Sequence, residues 1–202
     1  MIDPIPLELI FSEITVKKQI VLHHTGCCAQ AEAMRSAFYI NKEGKVFQLF
    51  DEKYWAYHLG LTLENFQKLG VDYRYLEKTS IGITLENAGA VVRKNGDFYP
   101  KSVSENENIL PVEDAYEYCV KAKWRNEQYW ELYYDKQIES LRELLLKLCA
   151  KHNIPKDYNA DIWDVSRRAL MGTAGIFCHC SFRNDVSDPH PQIELINMLK
   201  TL

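Results

Sequence analysis

The hydrophobic pattern of the chain changes its period near residue 135, and this change constrains the fold more than any other feature. Upstream, apolar residues form short strand-like runs such as QIVLHHT, residues 19–25, and SIGITLENAG, residues 80–89. Downstream, apolar residues recur at helical spacing, at Ile138, Leu141, Leu145 and Leu148. This spacing predicts a long amphipathic helix that Asp135 caps and that ends before Pro155. Strands followed by a helix packed on them indicate an α/β domain with a mixed central β-sheet flanked by α-helices.

Turn signals and further helical segments complete the expected organisation. Gly44 lies in NKEG, between two alternating segments, and Asn95-Gly96 is a pair that two-residue hairpin turns prefer. The last residues, PQIELINMLKTL, predict a short helix entered through Pro191. Residues 113–134, EDAYEYCVKAKWRNEQYWELYY, are expected to form a helix-rich insert whose aromatic side chains pack on the long helix.

Composition bounds the class of partner. A chain of 202 residues is long enough for one domain, residues 1–202, with its own hydrophobic core. The formal net charge of -4 provides no basic surface for nucleic acid and no polybasic membrane patch. No segment approaches the roughly 20 apolar residues of a membrane span. We expect a monomer whose partner is neutral or of mixed charge, and neither nucleic acid nor a membrane.

The first residues and the cysteines indicate the compartment. MIDPIPLELIFSEI carries acids and prolines where a secretory signal needs a basic start and an unbroken apolar run, so we expect a chain that is cytoplasmic as synthesised. Six cysteines, of which Cys27 and Cys28 are adjacent, do not make a dense disulfide framework. Reduced thiols are therefore the expected state.

Two histidines follow an apolar run in the stretch IVLHHTG, residues 20–26. Side chains alternate faces along a strand, so His23 and His24 point in opposite directions and only one of them can join a site. A second strand-like run, in GIFCHCSFRNDVSDPHP, leads into His179, and Asp188 follows nine positions later, before a proline. Two strand-end histidines would then meet at one edge of the sheet.

Two imidazoles and one carboxylate would leave a tetrahedral Zn²⁺ with one open position, which is typical of a hydrolytic zinc site. The residues alone leave two alternatives open. His179 can belong to a buried strand end that binds no metal. The flanking thiols Cys178 and Cys180 are also good zinc ligands, although on a strand they would face away from His179.

Four segments in order resemble the type 2 N-acetylmuramoyl-L-alanine amidases, the family that also holds small phage lysozyme-amidases, anhydromuropeptide amidases and peptidoglycan recognition proteins. IVLHHTG is similar to the first family strand, and GIFCHCSFRNDVSDPHP is similar to the closing motif. FYINKEGKVFQLFDEKYWAYHLG resembles the central hairpin with its aromatic-His-x-Gly segment, and SIGITLENAG resembles the SIGIE strand. The resemblance extends from about residue 18 to residue 202.

The resemblance implies an amidase-like or peptidoglycan-recognition-like fold with a zinc site at the sheet edge. It implies hydrolysis of the amide between N-acetylmuramic acid and the L-alanine of the stem peptide, in peptidoglycan or muropeptides. It selects His23, His179 and Asp188 as the zinc ligands, and His24 then becomes the residue that packs.

The resemblance also implies a substrate groove beside the metal. His58, in WAYHLG, falls where the family has a groove histidine that donates to the scissile carbonyl or holds the peptide. Trp55 and Tyr57 would line the groove, or else belong to the core. Thr84 would face the substrate from the SIGIE-like strand. The aromatic residues of the insert, in turn, pack on the long helix or form a groove wall that sets the stem-peptide preference.

The chain departs from the family pattern at two catalytic positions. The glutamate of SIGIE is Thr84 here, which cannot act as a general base at neutral pH. Glu86 lies two residues further along and is the expected substitute, because strand alternation would place it on the same face. The family lysine two residues before the last zinc ligand is Val186 here, and Arg183 is the nearest cation in that loop.

These departures support rival functions. One is a working zinc amidase, of reduced activity, that uses Glu86 and Arg183 as partial replacements. The other is a peptidoglycan- or muropeptide-binding protein that kept the metal, and we favour the enzyme because an open zinc site is hard to explain in a pure binder. A third is a structural zinc whose fourth ligand is Cys27 or His24. For the enzyme, three roles are open: muropeptide recycling, an endolysin that reaches the wall by phage lysis, and a secreted antibacterial effector.

Overall fold

The computed structural model describes residues 9–26, 35–61, 73–103, 110–112 and 114–202. The strands are β1 Gln19–His24, β2 Phe38–Ile40, β3 Val46–Gln48, β4 Ser80–Leu85, β5 Val91–Lys94, β6 Asp97–Pro100, β7 Cys119–Trp124, β8 Glu127–Glu131 and β9 Gly175–Cys178. The helices are α1 Tyr73–Thr79, α2 Ala115–Tyr118, α3 Asp135–His152, α4 Arg167–Leu170 and α5 Ile193–Lys200. Short 3-10 turns cover Lys101–Val103, Ala160–Trp163 and His179–Ser181.

The central sheet is mixed, as the sequence predicts, and its strand order is β3-β2-β4-β1-β9. Strand β1 runs parallel to β4 and to β9, β2 runs parallel to β4, and β3 is antiparallel to β2. All six residues of β1 are buried, which explains why IVL is apolar without alternation. Because β1, β4 and β9 are parallel, their carboxyl ends meet at one edge of the sheet.

Helix α3 packs on this sheet through the predicted apolar residues, and Ile138, Leu141, Leu145 and Leu148 are all buried. Its N-cap is Tyr134 rather than Asp135. The side chain of Gln137 accepts a hydrogen bond from the Tyr134 backbone N–H at 3.1 Å, and this bond moves the cap one residue upstream of the prediction. The helix ends at Asn153, whose left-handed conformation (φ 57°) precedes Pro155.

Both predicted hairpin turns are confirmed. Gly44 (φ +80°) closes the β2–β3 hairpin, where a Cβ would lie 2.5 Å from the Lys136 carbonyl oxygen. Asn95 and Gly96, with φ of 52° and 101°, join β5 to β6. The C-terminal helix α5 is also present, and it begins two residues after Pro191.

The insert at residues 113–134 is not helix-rich, and this prediction was wrong. Among its described residues, 114–134, only the four residues of α2 are helical, and residues 119–131 form the antiparallel hairpin β7–β8. Tertiary packing overrides the local helix preference, because Trp130 is fully buried and pairs with Ala90 across from β8. The turn of this hairpin contains Arg125, at a φ of 51°. In the described parts of the chain, no helix is both long enough and apolar enough to cross a bilayer.

Candidate functional site

The carboxyl ends of β1 and β9 bring His23 and His179 together. Leu22 pairs with Cys178 across the two strands, so the next residue of each strand lies at the same sheet edge. The chain returns at Asp188, whose two carboxylate oxygens both lie 3.0 Å from His179 Nδ1. Asp188 Oδ2 lies 3.4 Å from His23 Nδ1. One ligand atom from each of these three residues falls within 4.8 Å of the other two, so the group can hold a metal ion.

A chain of hydrogen bonds sets the tautomer of His23. The Ser80 hydroxyl donates to the Leu76 carbonyl at 2.6 Å, so it can only accept from His58 Nε2, 2.8 Å away. His58 Nδ1 is then unprotonated and accepts from His23 Nε2–H at 2.9 Å. These bonds leave the lone pair of His23 on Nδ1, the atom that faces Asp188.

His179 is fixed in the same way. Its Nε2–H donates to the Leu59 carbonyl oxygen at 2.9 Å, and its Nδ1 therefore faces Asp188. A neutral His179 would hold a lone pair against a carboxylate at 3.0 Å, which is unfavourable unless a proton or a cation lies between them. Burial lowers the pKa of His179, but Asp188 and the bond to Leu59 outweigh burial and raise it overall. The site thus favours positive charge between its donor atoms.

The pKa values of the other titratable groups in the cluster are shifted by burial and by this charge. Burial lowers the pKa of His23 to about 4, and the neighbouring His179 adds to the effect. Burial also lowers the pKa of His58 well below its usual value. Burial alone would raise the pKa of Asp188, but the two histidines hold that pKa well below its usual value. Asp188 is therefore a carboxylate and His23 is neutral, the states in which both bind metals.

A buried carboxylate supports the backbone of His58 and Leu59, the residues that bond His23 and His179. Glu77, at the end of α1, is fully buried. It accepts the backbone N–H of His58 at 2.9 Å and that of Leu59 at 3.1 and 3.2 Å. Burial raises the pKa of Glu77 to about 7 against the opposing effect of these bonds. Sequence reasoning missed Glu77, because nothing in YRYLEKTS distinguishes a buried acceptor from an ordinary helix glutamate.

The three ligands open onto a cavity of about 470 Å³. It is lined by His23, Arg35, Ser36, His58, Gly60, Thr84, His179, Arg183, Val186 and Asp188. His24 lies on the opposite face of β1, as expected, with its Nδ1 2.9 Å from the Tyr133 hydroxyl. His24 therefore does not supply a fourth ligand. The other residue considered for that role, Cys27, lies outside the described residues, as does Cys28.

Of the predicted catalytic residues, Arg183 reaches the cavity. Its guanidinium bonds Asp185 through Nε at 2.9 Å and Nη2 at 2.6 Å, and its Nη1 donates to the Gly60 carbonyl at 3.2 Å. The bonds to Asp185 raise the pKa of Arg183, which keeps it charged. Thr84 also lines the cavity, where its hydroxyl lies 2.7 Å from that of Ser36.

Glu86 is not brought to this cavity. Glu86 directly follows β4, which ends at Leu85, and its backbone N–H still donates to the Ile40 carbonyl of β2 at 2.9 Å. One Glu86 oxygen accepts the Lys42 backbone N–H at 3.3 Å, and the residue does not line the cavity. The expected substitute for the family glutamate is therefore held elsewhere.

The groove residues expected from WAYHLG are also placed differently. His58 lines the cavity, but both of its ring nitrogens are bonded within the protein, so it supports His23 and has no free N–H for a substrate. Trp55 is 5% exposed and stacks on Phe11 with ring centroids 4.1 Å apart, which makes it a packing residue. Tyr57 lines a neighbouring cavity of about 430 Å³ with Leu9, Phe11 and Arg35.

Arg35 lines both cavities, and sequence reasoning missed it. It precedes β2 and comes to the site only through the pairing of β2 with β4, which no local pattern reveals. The thiols are not ligands in the described structure. Cys178 and Cys180 are fully buried and free, and burial raises the pKa of Cys178 well above its usual value. The other cysteines that the structure describes, Cys119 and Cys149, are also free.

Comparison with known proteins adds a family match. The family model described as N-acetylmuramoyl-L-alanine amidase matches residues 14–191, and comparison with curated protein sequences gave no match. Among solved structures, the amidase LysC from Clostridium intestinale is 14% identical, with 91% of this chain and 83% of that chain covered and a TM-score of 0.46. AmpDh3 from Pseudomonas aeruginosa is 16% identical (91% and 58% covered, TM-score 0.46). AmiD from E. coli is 18% identical (72% and 48% covered, TM-score 0.42).

Proposed function

Because the chain belongs to the N-acetylmuramoyl-L-alanine amidase family, we propose that it is a zinc-dependent enzyme. Its reaction is hydrolysis of the amide between N-acetylmuramic acid and L-alanine in peptidoglycan or muropeptides. One observation carries the zinc dependence: His23 Nδ1 and His179 Nδ1 both face the Asp188 carboxylate, while both Nε2 atoms are committed to partners inside the protein.

The donor set fits Zn²⁺. Two imidazole nitrogens and one carboxylate oxygen form a three-ligand set of the kind that catalytic zinc sites use, with a further position open to the cavity. Each histidine donates its remote N–H to a fixed acceptor, which is how metal-ligating histidines are oriented. A cation between the three groups would also relieve the approach of the His179 lone pair to Asp188.

Zinc bound there would supply a Lewis acid and bring the pKa of a water ligand to about 7. The residues of the chain orient the substrate and stabilise charge around it. Arg183 presents a guanidinium to the cavity, where developing negative charge on the carbonyl oxygen would be stabilised. Asp185 fixes the direction of that guanidinium through two hydrogen bonds.

The cavity lacks a separate general base in the described residues. Its lining contains no carboxylate besides Asp188, and Thr84 stands where the family has glutamate. A positioned general base contributes about 10² to 10⁴ in rate, so we propose that this enzyme is slower than relatives that carry the glutamate. Family membership favours this slow enzyme over a binding protein without catalysis.

We propose that the muropeptide extends from the metal cavity past Arg35 into the neighbouring cavity that Tyr57 and Phe11 line. We also propose a monomer of one domain, made in the cytoplasm, that reaches the cell wall by phage lysis or secretion when its role requires it.

The test is metal content and cleavage measured on the same preparation. The purified protein is expected to hold close to one zinc per chain and to release the L-alanine stem from muropeptides, and a chelator is expected to stop that release. His179→Ala is expected to lose both properties. His152→Ala is the matched control, because His152 bonds Glu52 outside the cavity. Full zinc occupancy in His179→Ala, or cleavage that survives chelation, would contradict the proposal.

A further inference from the structure

The hairpin β7–β8 ends in an arginine that contacts the loop between two of the proposed metal ligands. Arg125 occupies the turn between the two strands, and its side chain is only 18% exposed. Its guanidinium lies over the Trp124 ring, 5.1 Å from the centroid. An arginine at a hairpin tip normally extends into water, so this burial means that the guanidinium has partners in the protein.

Those partners are backbone carbonyls of the ligand loop. Nη1 donates to the carbonyl oxygens of Asn184, at 3.0 Å, and of Val186. Nη2 donates to the Cys180 carbonyl at 3.4 Å and to the Asp164 carboxylate at 3.3 Å. One planar group therefore joins the start of the loop, next to His179, to its end, two residues before Asp188.

The loop has little backbone support of its own. In the described part of the chain, residues 183–187 make no backbone-to-backbone hydrogen bond. The flanking contact is from the Cys180 N–H to the Asp188 carbonyl at 3.0 Å. The ion pair with Asp164 contributes little, because the Asp164 side chain is 85% exposed. Besides the Arg183 bond to the Gly60 carbonyl and the packing of Val186 on the core, the three carbonyl contacts of Arg125 therefore hold this loop.

We propose that Arg125 is a positioning residue of the metal site, which holds Asp188 and Arg183 in place relative to His179. The inference rests on the proposed zinc function and adds to it a residue from the insert. Arginine suits this role, because several N–H donors in one rigid plane can bond carbonyls that lie in different directions. A lysine has one nitrogen on a flexible stem and cannot join both ends of the loop.

Zinc affinity and the visible absorption spectrum of the Co²⁺-substituted protein test the proposal. Arg125→Ala is expected to weaken zinc binding by about 10- to 100-fold, the usual effect of losing a group that orients a ligand, and to alter the Co²⁺ spectrum. Arg125→Lys keeps the charge and most of the stem, and is expected to lose affinity in the same direction. Asp164→Ala is the matched control: it removes the exposed ion pair and a local bond from the Val165 N–H, leaves the three carbonyl contacts in place, and is expected to change neither quantity.

Hydrogen exchange of the metal-free proteins separates this proposal from the zinc function. The amides of Cys180 and Phe182, which donate to the Asp188 and His179 carbonyls, are expected to exchange faster in Arg125→Ala and Arg125→Lys than in the parent or in Asp164→Ala. If the parent binds no zinc, the proposed function fails, and the exchange result still decides what Arg125 does. Unchanged exchange in Arg125→Lys, or equal effects of Arg125→Lys and Asp164→Ala, would overturn the proposal. If Arg125→Ala does not fold, Arg125→Lys alone decides.

Discussion

His23 and Asp188 belong to the same candidate metal site but are held in different ways. His23 lies on the buried strand β1, between β4 and β9, and its ring is backed by His58 and Ser80. Asp188 follows a loop whose contacts come from side chains, mainly that of Arg125. The first ligand is positioned by the sheet that defines the fold, and the second depends on an insert some 60 residues away in sequence. The central sheet is therefore enough to position His23, whereas Asp188 needs contacts from outside the sheet.

The largest expected effect comes from removing the loop ligand itself. Asp188→Asn keeps the shape of the side chain but removes the charge that both histidines face, and we expect it to lose more than about 100-fold in zinc affinity, beyond the range for orienting groups. The His23 tautomer should persist, because the bonds through His58 and Ser80 do not involve Asp188. Imidazole nitrogen shifts measured by NMR check the tautomer, and a switch to an Nδ1-protonated ring would show that the two halves are not independent.

Two substitutions restore the residues that the family has at these positions, one on strand β4 and one in the loop before Asp188, and their effects on turnover can be compared. Thr84→Glu is expected to raise turnover by about 10², the lower end of the contribution of a general base, because β4 holds the new side chain towards the cavity. Val186→Lys is expected to add less, because its loop must also keep the Arg125 contact to the Val186 carbonyl. Rates of stem release measure both variants.

Glu86→Gln is the control for that comparison. Since Glu86 lies outside the cavity, we expect its turnover to match that of the parent. A large loss in Glu86→Gln would mean that Glu86 moves into the cavity when substrate binds.

Removing His58, which bonds His23, should lower the zinc affinity less than removing a ligand does. His58→Ala leaves the buried His23 Nε2–H without its acceptor, which costs about 1 to 3 kcal/mol in the free energy of unfolding. Zinc affinity should fall by about 10- to 100-fold, similar to the loss expected for Arg125→Ala. Denaturant unfolding and metal competition measure the two quantities, with His152→Ala as the control. If His58→Ala binds zinc as the parent does, the sheet alone orients His23.

The smallest effect is the dependence of the metal-free protein's stability on pH. Burial lowers the pKa values of His23, His24, His58 and His190 below that of a free histidine, so below about pH 6.5 the unfolded chain binds more protons than the folded one. Glu77, whose pKa is raised to about 7, opposes this between pH 7 and 4.5. His179, whose pKa is also raised, opposes it near and above pH 6.5, and the four lowered groups outweigh these two raised ones, at about 1.4 kcal/mol per proton and pH unit. The melting temperature should therefore fall from pH 6.5 to 5, and a rise would contradict this.

The placement of the two histidines at the sheet edge was predictable from sequence. His23 and His179 each follow a short apolar run, and the parallel pairing of β1 with β9 places such strand ends together. Asp188 was a candidate because of its spacing from His179 and the proline that follows it, and the resemblance of the closing motif to the family then selected it. The long helix was predictable because four apolar residues share one face over its whole length.

The parts that could not be predicted depend on contacts between distant segments. Glu86 was misplaced because the run SIGITLENAG does not show that its carboxylate accepts the Lys42 backbone N–H outside the cavity. The insert was predicted as helix because its local pattern does not show that Trp130 is buried against His190. Arg35, Glu77 and Arg125 are ordinary charged residues in sequence, and only the folded chain shows what they contact.

The bonds that set the two imidazole tautomers determine how many protons leave when the metal binds. His23 presents a lone pair on Nδ1 already, so its coordination releases none. His179 has a raised pKa beside Asp188, which favours a proton between its Nδ1 and that carboxylate when no metal is present. Zinc uptake below the raised pKa of His179 should therefore displace a proton from His179, at a pH where a zinc-bound water keeps its own. Calorimetric titrations in buffers of different ionisation enthalpy would then give different apparent heats of binding, and the slope of that dependence counts the proton.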